Sequence, residues 1–121
     1  MITEARHWPV RLAATAEKDL RQILAWTAAN FGEVQARTYA ETLSATLEAL
    51  VEGPNILGAK RRPEIGRGIL SIHVARHGRK GRHFVMFRVG KYQNQDVIDV
   101  LRVLHDAMDL QRHLSPESTG K

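Results

Sequence analysis

Two apolar stripes at helical spacing, followed by two dense runs of apolar and β-branched residues, divide the chain into a helical first half and a sheet-forming second half. Leu20, Ile23, Leu24, Thr27, Ala28 and Phe31 recur at intervals of three, one, three, one and three, which places them on one face of a helix. Thr15 is the expected N-cap, and Glu17 and Asp19 sit in the first turn, where the positive end of the macrodipole favours carboxylates. Asn30-Phe-Gly32 ends this helix, and a second begins near Glu33 with the stripe Ala36, Tyr39, Ala40, Leu43, Leu47, Leu50 and Val51. So short a link predicts an antiparallel helical hairpin. Gly53-Pro54 stops it. Both stripes read as core, and Trp26 and Tyr39 carry little weight as ligand contacts.

The sheet half centres on Arg82–Leu114. Phe84–Val89 and Val97–Leu104 are apolar at successive positions, the pattern of central strands covered on both faces, and the turn-rich Gly-Lys-Tyr-Gln-Asn-Gln-Asp connector makes them antiparallel neighbours. Strict alternation would turn Val85, Phe87 and Val89 towards the hairpin and Phe84, Met86 and Arg88 away from it. In the last strand it would put Ile98, Val100, Arg102 and Leu104 on one side. Ahead of these runs, Ile69–Arg76 alternates as a half-buried strand, and Asn55–Arg67 has no periodicity and reads as an exposed loop. Pro9–Ala13 reads as a short first strand after a loose arm at residues 1–8. Asp106-Ala-Met-Asp109 introduces a short terminal helix, and residues 115–121 form a polar tail. The expectation is a single α+β domain over residues 1–121: an antiparallel sheet of about four strands, the hairpin on one face and the terminal helix on the other. One short helix leaves part of that second face open, a strip suited to an amphipathic, acidic partner segment or to self-pairing as a homodimer.

Composition narrows the classes. At 121 residues the chain holds one core, and 43% hydrophobic residues is ordinary for a globular protein. No apolar run approaches the roughly 18 residues of a membrane span, and MITEARHWPV has no signal core, so a cytoplasmic protein with no membrane role is expected. Zero cysteines exclude disulfides, thiol nucleophiles and thiolate zinc sites. The formal charge of +5 is unevenly spread. Between Lys60 and Lys91 ten Lys or Arg face one acid, Glu64, whereas the rest of the chain has eight bases and twelve acids. Such a block is either the footprint of a polyanionic partner or a solvated basic loop. Lys60, Arg61, Arg62, Arg67, Arg76 and Arg88, with Phe84 and Met86 beside them, are the candidate contacts for a polyanion or an acidic protein segment. The spacing of His73, His77, His83 and His113 suggests no metal triad, and no cofactor is implied.

The Phe31-Gly32 hairpin link, the Gly53-Pro54 stop, HFVMFRV and then VIDVLRVLHDAMDLQRHL together resemble the RelE/ParE superfamily of toxins from toxin–antitoxin pairs, over roughly residues 9–114. Arg102-Val-Leu-His105, Met108-Asp109 and His113-Leu114 are particularly similar to ParE-type endings. The resemblance implies a small antiparallel sheet with a helical hairpin on one face, and a cognate antitoxin as partner. ParE-like members inhibit DNA gyrase without covalent chemistry of their own, and RelE-like members cleave messenger RNA on the ribosome. The nuclease branch carries an arginine at the start of the third strand, where this chain has Phe84; Arg82 or His83 substitutes only in a different register. The expectation is therefore a gyrase-binding toxin without catalytic residues, with Arg102, His105, Met108, Asp109 and His113 as candidate target contacts. The alternative is a ribosome-dependent endoribonuclease using Arg82, His83, His105, Lys60 and Arg61, since cleavage through a 2′-hydroxyl needs a base, cations and an acid.

Overall fold

The computed structural model describes residues 7–108. Its elements are β1 (Val10–Leu12), α1 (Ala14–Phe31), α2 (Glu33–Ala49), a 3-10 turn (Leu50–Glu52), β2 (Lys60–Arg61), β3 (Leu70–His73), β4 (His83–Tyr92) and β5 (Gln95–His105). The strands form one sheet in the order β1-β5-β4-β3-β2. All neighbours are antiparallel except β1, which lies parallel to β5 with Val10 opposite Ile98 and Leu12 opposite Val100. The sheet is thus mixed and five-stranded, not antiparallel and four-stranded. The added strand is the two-residue β2, inside the stretch read as an exposed loop. Lys60 and Arg61 carry no apolar signal because an edge strand needs none, and charged side chains there discourage further pairing.

The helical hairpin forms as its stripes predict, with Gly32 alone between the helices. Gly32 has φ 93°, its amide donates to Ala28 O at 2.9 Å, and its carbonyl accepts from Ala36 at 3.1 Å. A side chain is strained in that conformation, so glycine allows the chain to reverse within one residue. The cap differs from expectation. Ala13 occupies the N-cap with no side-chain bond, while the Thr15 hydroxyl donates to Leu101 O at 2.9 Å and ties α1 to β5. Trp8, assigned to a loose arm by sequence, packs on the main core, and its amide donates to Val51 O at 2.7 Å.

That core lies between hairpin and sheet and includes Ala16, Leu43, Leu50, Ile72, Val74, Val85, Phe87, Ile98, Val100 and Val103, with Leu20, Ile23, Leu24 and Leu47 packed against it. Val100 and Val103 both belong to it, while Leu104 joins a second cluster, so the strict alternation expected for β5 fails. The cause is an irregularity in the ladder: Met86 pairs with Arg102 but Phe87 pairs with Val100, which leaves Leu101 as an extra residue and shifts the phase of everything after it. The second cluster, Ile65, Met86 and Leu104 with Ile69 and Phe84, covers the other sheet face. Met86 is completely buried, so the open strip expected along Phe84 and Met86 is closed. Ile65 sits in a turn whose amide donates to Arg62 O, an apolar anchor within a basic loop.

Strands β4 and β5 run further than their apolar cores, to a two-residue turn at Gln93-Asn94 with φ 51° and 64°. Two left-handed residues match the twist of the flanking strands. Among the described residues no helix is long and apolar enough to cross a membrane. Asp106–Met108 form a turn, and the expected terminal helix beyond it, with Asp109, His113 and the 115–121 tail, lies outside the described residues.

Candidate functional site

Antiparallel register brings three histidines to one end of the sheet. His73 closes β3, His83 opens β4 opposite His105, and His105 closes β5. The His83 and His105 rings meet edge to face at 5.3 Å, and His73 meets Phe84 in the same way at 4.9 Å. Each ring has a defined partner. The Ala75 amide donates to His73 Nδ1 at 3.0 Å, so the proton sits on Nε2, which lies 2.9 Å from Asp106 Oδ2. The Ala107 amide donates to His105 Nδ1 at 3.1 Å. With that nitrogen occupied, the Asp106 oxygen 3.6 Å away is a neighbour and not an ion-pair partner.

His83 is held from α2. The Arg82 amide donates to Tyr39 Oη at 3.1 Å, and Tyr39 Oη shares a 2.6 Å hydrogen bond with His83 Nδ1. Gly81 makes room for this, since a Cβ there would stand 2.9 Å from Tyr39 Oη. Burial, reinforced by repulsion from His105, pushes His83 down to about 4, which keeps it neutral at pH 7. Burial likewise raises Tyr39. Asp106 is drawn down to about 2 by its hydrogen bonds from Arg82 and then His73. Arg82 Nε lies 3.2 Å from both carboxylate oxygens.

Beside this cluster a cleft of about 780 Å³ opens between the hairpin and the β3–β4 loop. Trp26 and Phe31, 60% and 65% exposed, form one wall and meet edge to face at 5.7 Å. Tyr39, His83 and His105 form the floor, and Arg79, Lys80 and Arg82 the rim. Phe31, expected in the core stripe, is instead exposed at the end of α1 and lines the cleft. Tyr39 is the residue sequence reasoning undervalued. Its place in an apolar stripe gave no sign that its hydroxyl would join two backbone-distant groups.

The candidate nuclease set does not converge. Arg82, His83 and His105 share the cleft, but Lys60 and Arg61 lie on β2, three strand spacings from β5, or about 14 Å. Phe84 is the second residue of β4, after His83, and the Arg62 guanidinium lies 5.6 Å from its ring centre. Arg62 is itself engaged by Glu64 at 2.7 Å and by Ser71 at 3.1 Å. Arg76 donates to Leu57 O at 3.2 Å, away from the cleft. Arg102, a candidate target contact, instead makes a two-pronged bond to Asp19 at 2.8 and 3.1 Å, and the Val103 amide donates to the same carboxylate at 2.9 Å. Asp19 is only 8% exposed; its first-turn position concealed a buried anchor between α1 and β5. Met108 is exposed. Among the described residues no three His, Asp or Glu are placed to hold a metal ion.

A helical hairpin packed on one face of a small mixed sheet is the architecture of the RelE/ParE class of toxins. Residues 10–110 match the family described as the ParE toxin of the type II toxin–antitoxin system parDE, and the chain belongs to that family. Toxin ParE1 of Caulobacter vibrioides is 31% identical over 106 residues, covering 88% of this chain and 97% of that protein. Among solved structures, a chromosomal ParDE toxin–antitoxin system from P. aeruginosa superposes with a TM-score of 0.66 at 20% identity, over 83% of this chain and 97% of that one. A YoeB/ParE toxin from Agrobacterium tumefaciens superposes at 0.53 with 11% identity, over 80% and 96%. These two likenesses support the fold. Family membership makes the chain the toxin of a toxin–antitoxin pair and implies a cognate ParD antitoxin.

Proposed function

We propose that this toxin acts by binding DNA gyrase, not by cutting RNA, and that its antitoxin lays an acidic, amphipathic segment in the cleft between Trp26 and His83. The observation that carries the first half is the state of the would-be catalytic groups. His73, His83, His105, Arg62 and Arg82 each hold an internal partner, and the resemblance puts the Phe84 ring where it would put the nuclease arginine. Ribonuclease chemistry needs a cation free to meet a pentavalent phosphate and an imidazole poised near neutrality, whereas His83 is held far below it. The cleft supports the second half: its exposed aromatic wall offers apolar anchors, and its basic rim selects for acidic neighbours.

The test sets two assays side by side with the same folded protein. Gyrase-driven supercoiling is expected to fall with added toxin and recover with antitoxin, while messenger RNA on purified ribosomes stays uncut. Transcript cleavage that disappears in His105→Gln combined with Arg82→Ala, with supercoiling untouched, would replace this reading by the endoribonuclease one.

A further inference from the structure

A second basic surface lies away from the histidine cleft, and its cations are arranged differently. A shallow groove of about 630 Å³ is lined by Arg61 from β2, Arg67 from the following loop, and Arg88 and Lys91 from β4. Arg61, Arg67 and Arg88 are exposed, and their side chains make no ion pair or hydrogen bond to another described residue. The acid in the groove, Asp99, is engaged by Arg11 at 3.1 Å, and Lys91 meets Asp96 at 2.9 Å. Three like charges therefore line one groove, on strands and a loop, with no carboxylate bonded to any of them. Arg88 stands directly opposite Asp99 in the ladder, yet Asp99 is bonded to the strand on its other side. Keeping guanidinium groups together and unpaired costs stability, and a ligand with several anionic oxygens removes that cost.

We propose that this groove takes the phosphate backbone of duplex DNA, and, on the gyrase reading above, that the toxin holds the DNA segment gyrase is acting on as well as the enzyme. Arginine forks bind phosphate oxygens in pairs and need no base contact, so such binding is indifferent to sequence. An acidic protein segment is the poorer fit. An amphipathic chain needs apolar anchors, and the groove offers Val89 and the partly buried Leu70 where the cleft offers two exposed aromatic rings. The two basic surfaces thus divide the partners: protein at the cleft, nucleic acid at the groove.

The experiment is an anisotropy titration of the full chain against a short labelled duplex of arbitrary sequence over about 50 to 200 mM salt. Three phosphate contacts give a plot of log K against log salt with a slope of about −3. Substituting Arg61→Gln, Arg67→Gln and Arg88→Gln together should bring the slope close to zero, and each alone should reduce it by about 1. Antitoxin affinity and binding to DNA-free gyrase are read on the same triple variant and should stay within twofold of wild type, while its inhibition of supercoiling weakens. No duplex binding by wild type at the lowest salt, or a slope unchanged in the variant, overturns the proposal. So does loss of antitoxin binding with duplex binding retained, which would make the groove a protein seat. If wild type binds duplex as described but leaves supercoiling untouched, the gyrase reading alone falls.

Discussion

The histidine end of the sheet and the arginine groove are both rich in polar side chains, and they differ in how those side chains are spent. At the histidine end the groups close on each other: Arg82 and His73 on Asp106, Tyr39 on His83, backbone amides on His73 and His105. In the groove Arg61, Arg67 and Arg88 are left open. A polar group satisfied internally holds the fold, because removing its partner leaves a desolvated orphan. A cation left open on a rigid strand adds nothing to the fold and is available to a partner. Residue type does not separate the two regions; pairing does.

The sharpest way to break this distinction is at the most buried pair. Asp19→Ala leaves Arg102 without its two-pronged partner and the Val103 amide without an acceptor. The expected loss is about 3 kcal/mol or more in urea unfolding, with an unchanged m-value. A loss under about 0.5 kcal/mol would show that pairing is a poor guide here. Next in size is Trp26→Ala. An exposed ring supports nothing inside the fold, so stability should hold while antitoxin affinity, read by calorimetry, falls by about 2 kcal/mol, some thirtyfold. Phe31→Ala should act in the same direction.

Tyr39 and His83 give smaller effects. Tyr39→Phe strands the Arg82 amide and the His83 ring nitrogen, and should cost about 1 to 2 kcal/mol. The pH dependence follows from the lowered value of His83. The unfolded chain takes up this proton near pH 6.5 and the folded chain only near 4, so between those values unfolding binds a proton and stability declines as pH falls. Because the ring is partly exposed, the decline attributable to it from pH 7 to 5 should be about 1 kcal/mol, and His83→Gln should abolish it. Asp106 acts lower, where stability present above about pH 4 is lost as pH falls towards 2.

Legibility in the sequence tracks the same division. The hairpin, its one-glycine link and the two central strands were readable because burial writes itself as periodicity: Leu20, Ile23 and Leu24 could only be a helix face, and Val85 with Phe87 only a strand covered by it. What periodicity cannot carry was missed. The two-residue β2 has no apolar position to repeat, and the parallel pairing of β1 is a fact of topology, not of pattern. The Leu101 irregularity reversed the phase of β5 midway, so an argument from alternation sent Val103 to the wrong face. The site suffered most. Asp19 looked like a dipole partner and Tyr39 like core, because the groups they bond, Arg102 and His83, are 83 and 44 residues away in the chain. By contrast, the charge imbalance from Lys60 to Lys91 was visible at once, although sequence could not divide it between paired and open cations.

The smallest expected effect tests the comparison from its other side. If Arg61, Arg67 and Arg88 are indeed open, changing each to Gln removes no partner from any buried group, and the folded state should change by less than about 0.5 kcal/mol per residue. The sign should be stabilising, since each substitution relieves repulsion within a chain that already carries +5, and the gain should shrink as salt is raised. Arg62→Gln serves as the contrast. It lies one residue from Arg61 in the same basic run, yet its guanidinium bonds Glu64 and Ser71 and lies against Phe84, so it should destabilise and do so at any salt. Equal effects at Arg61 and Arg62 would mean that neighbours in sequence matter more than partners in space, and the division between a structural end and an available groove would not stand.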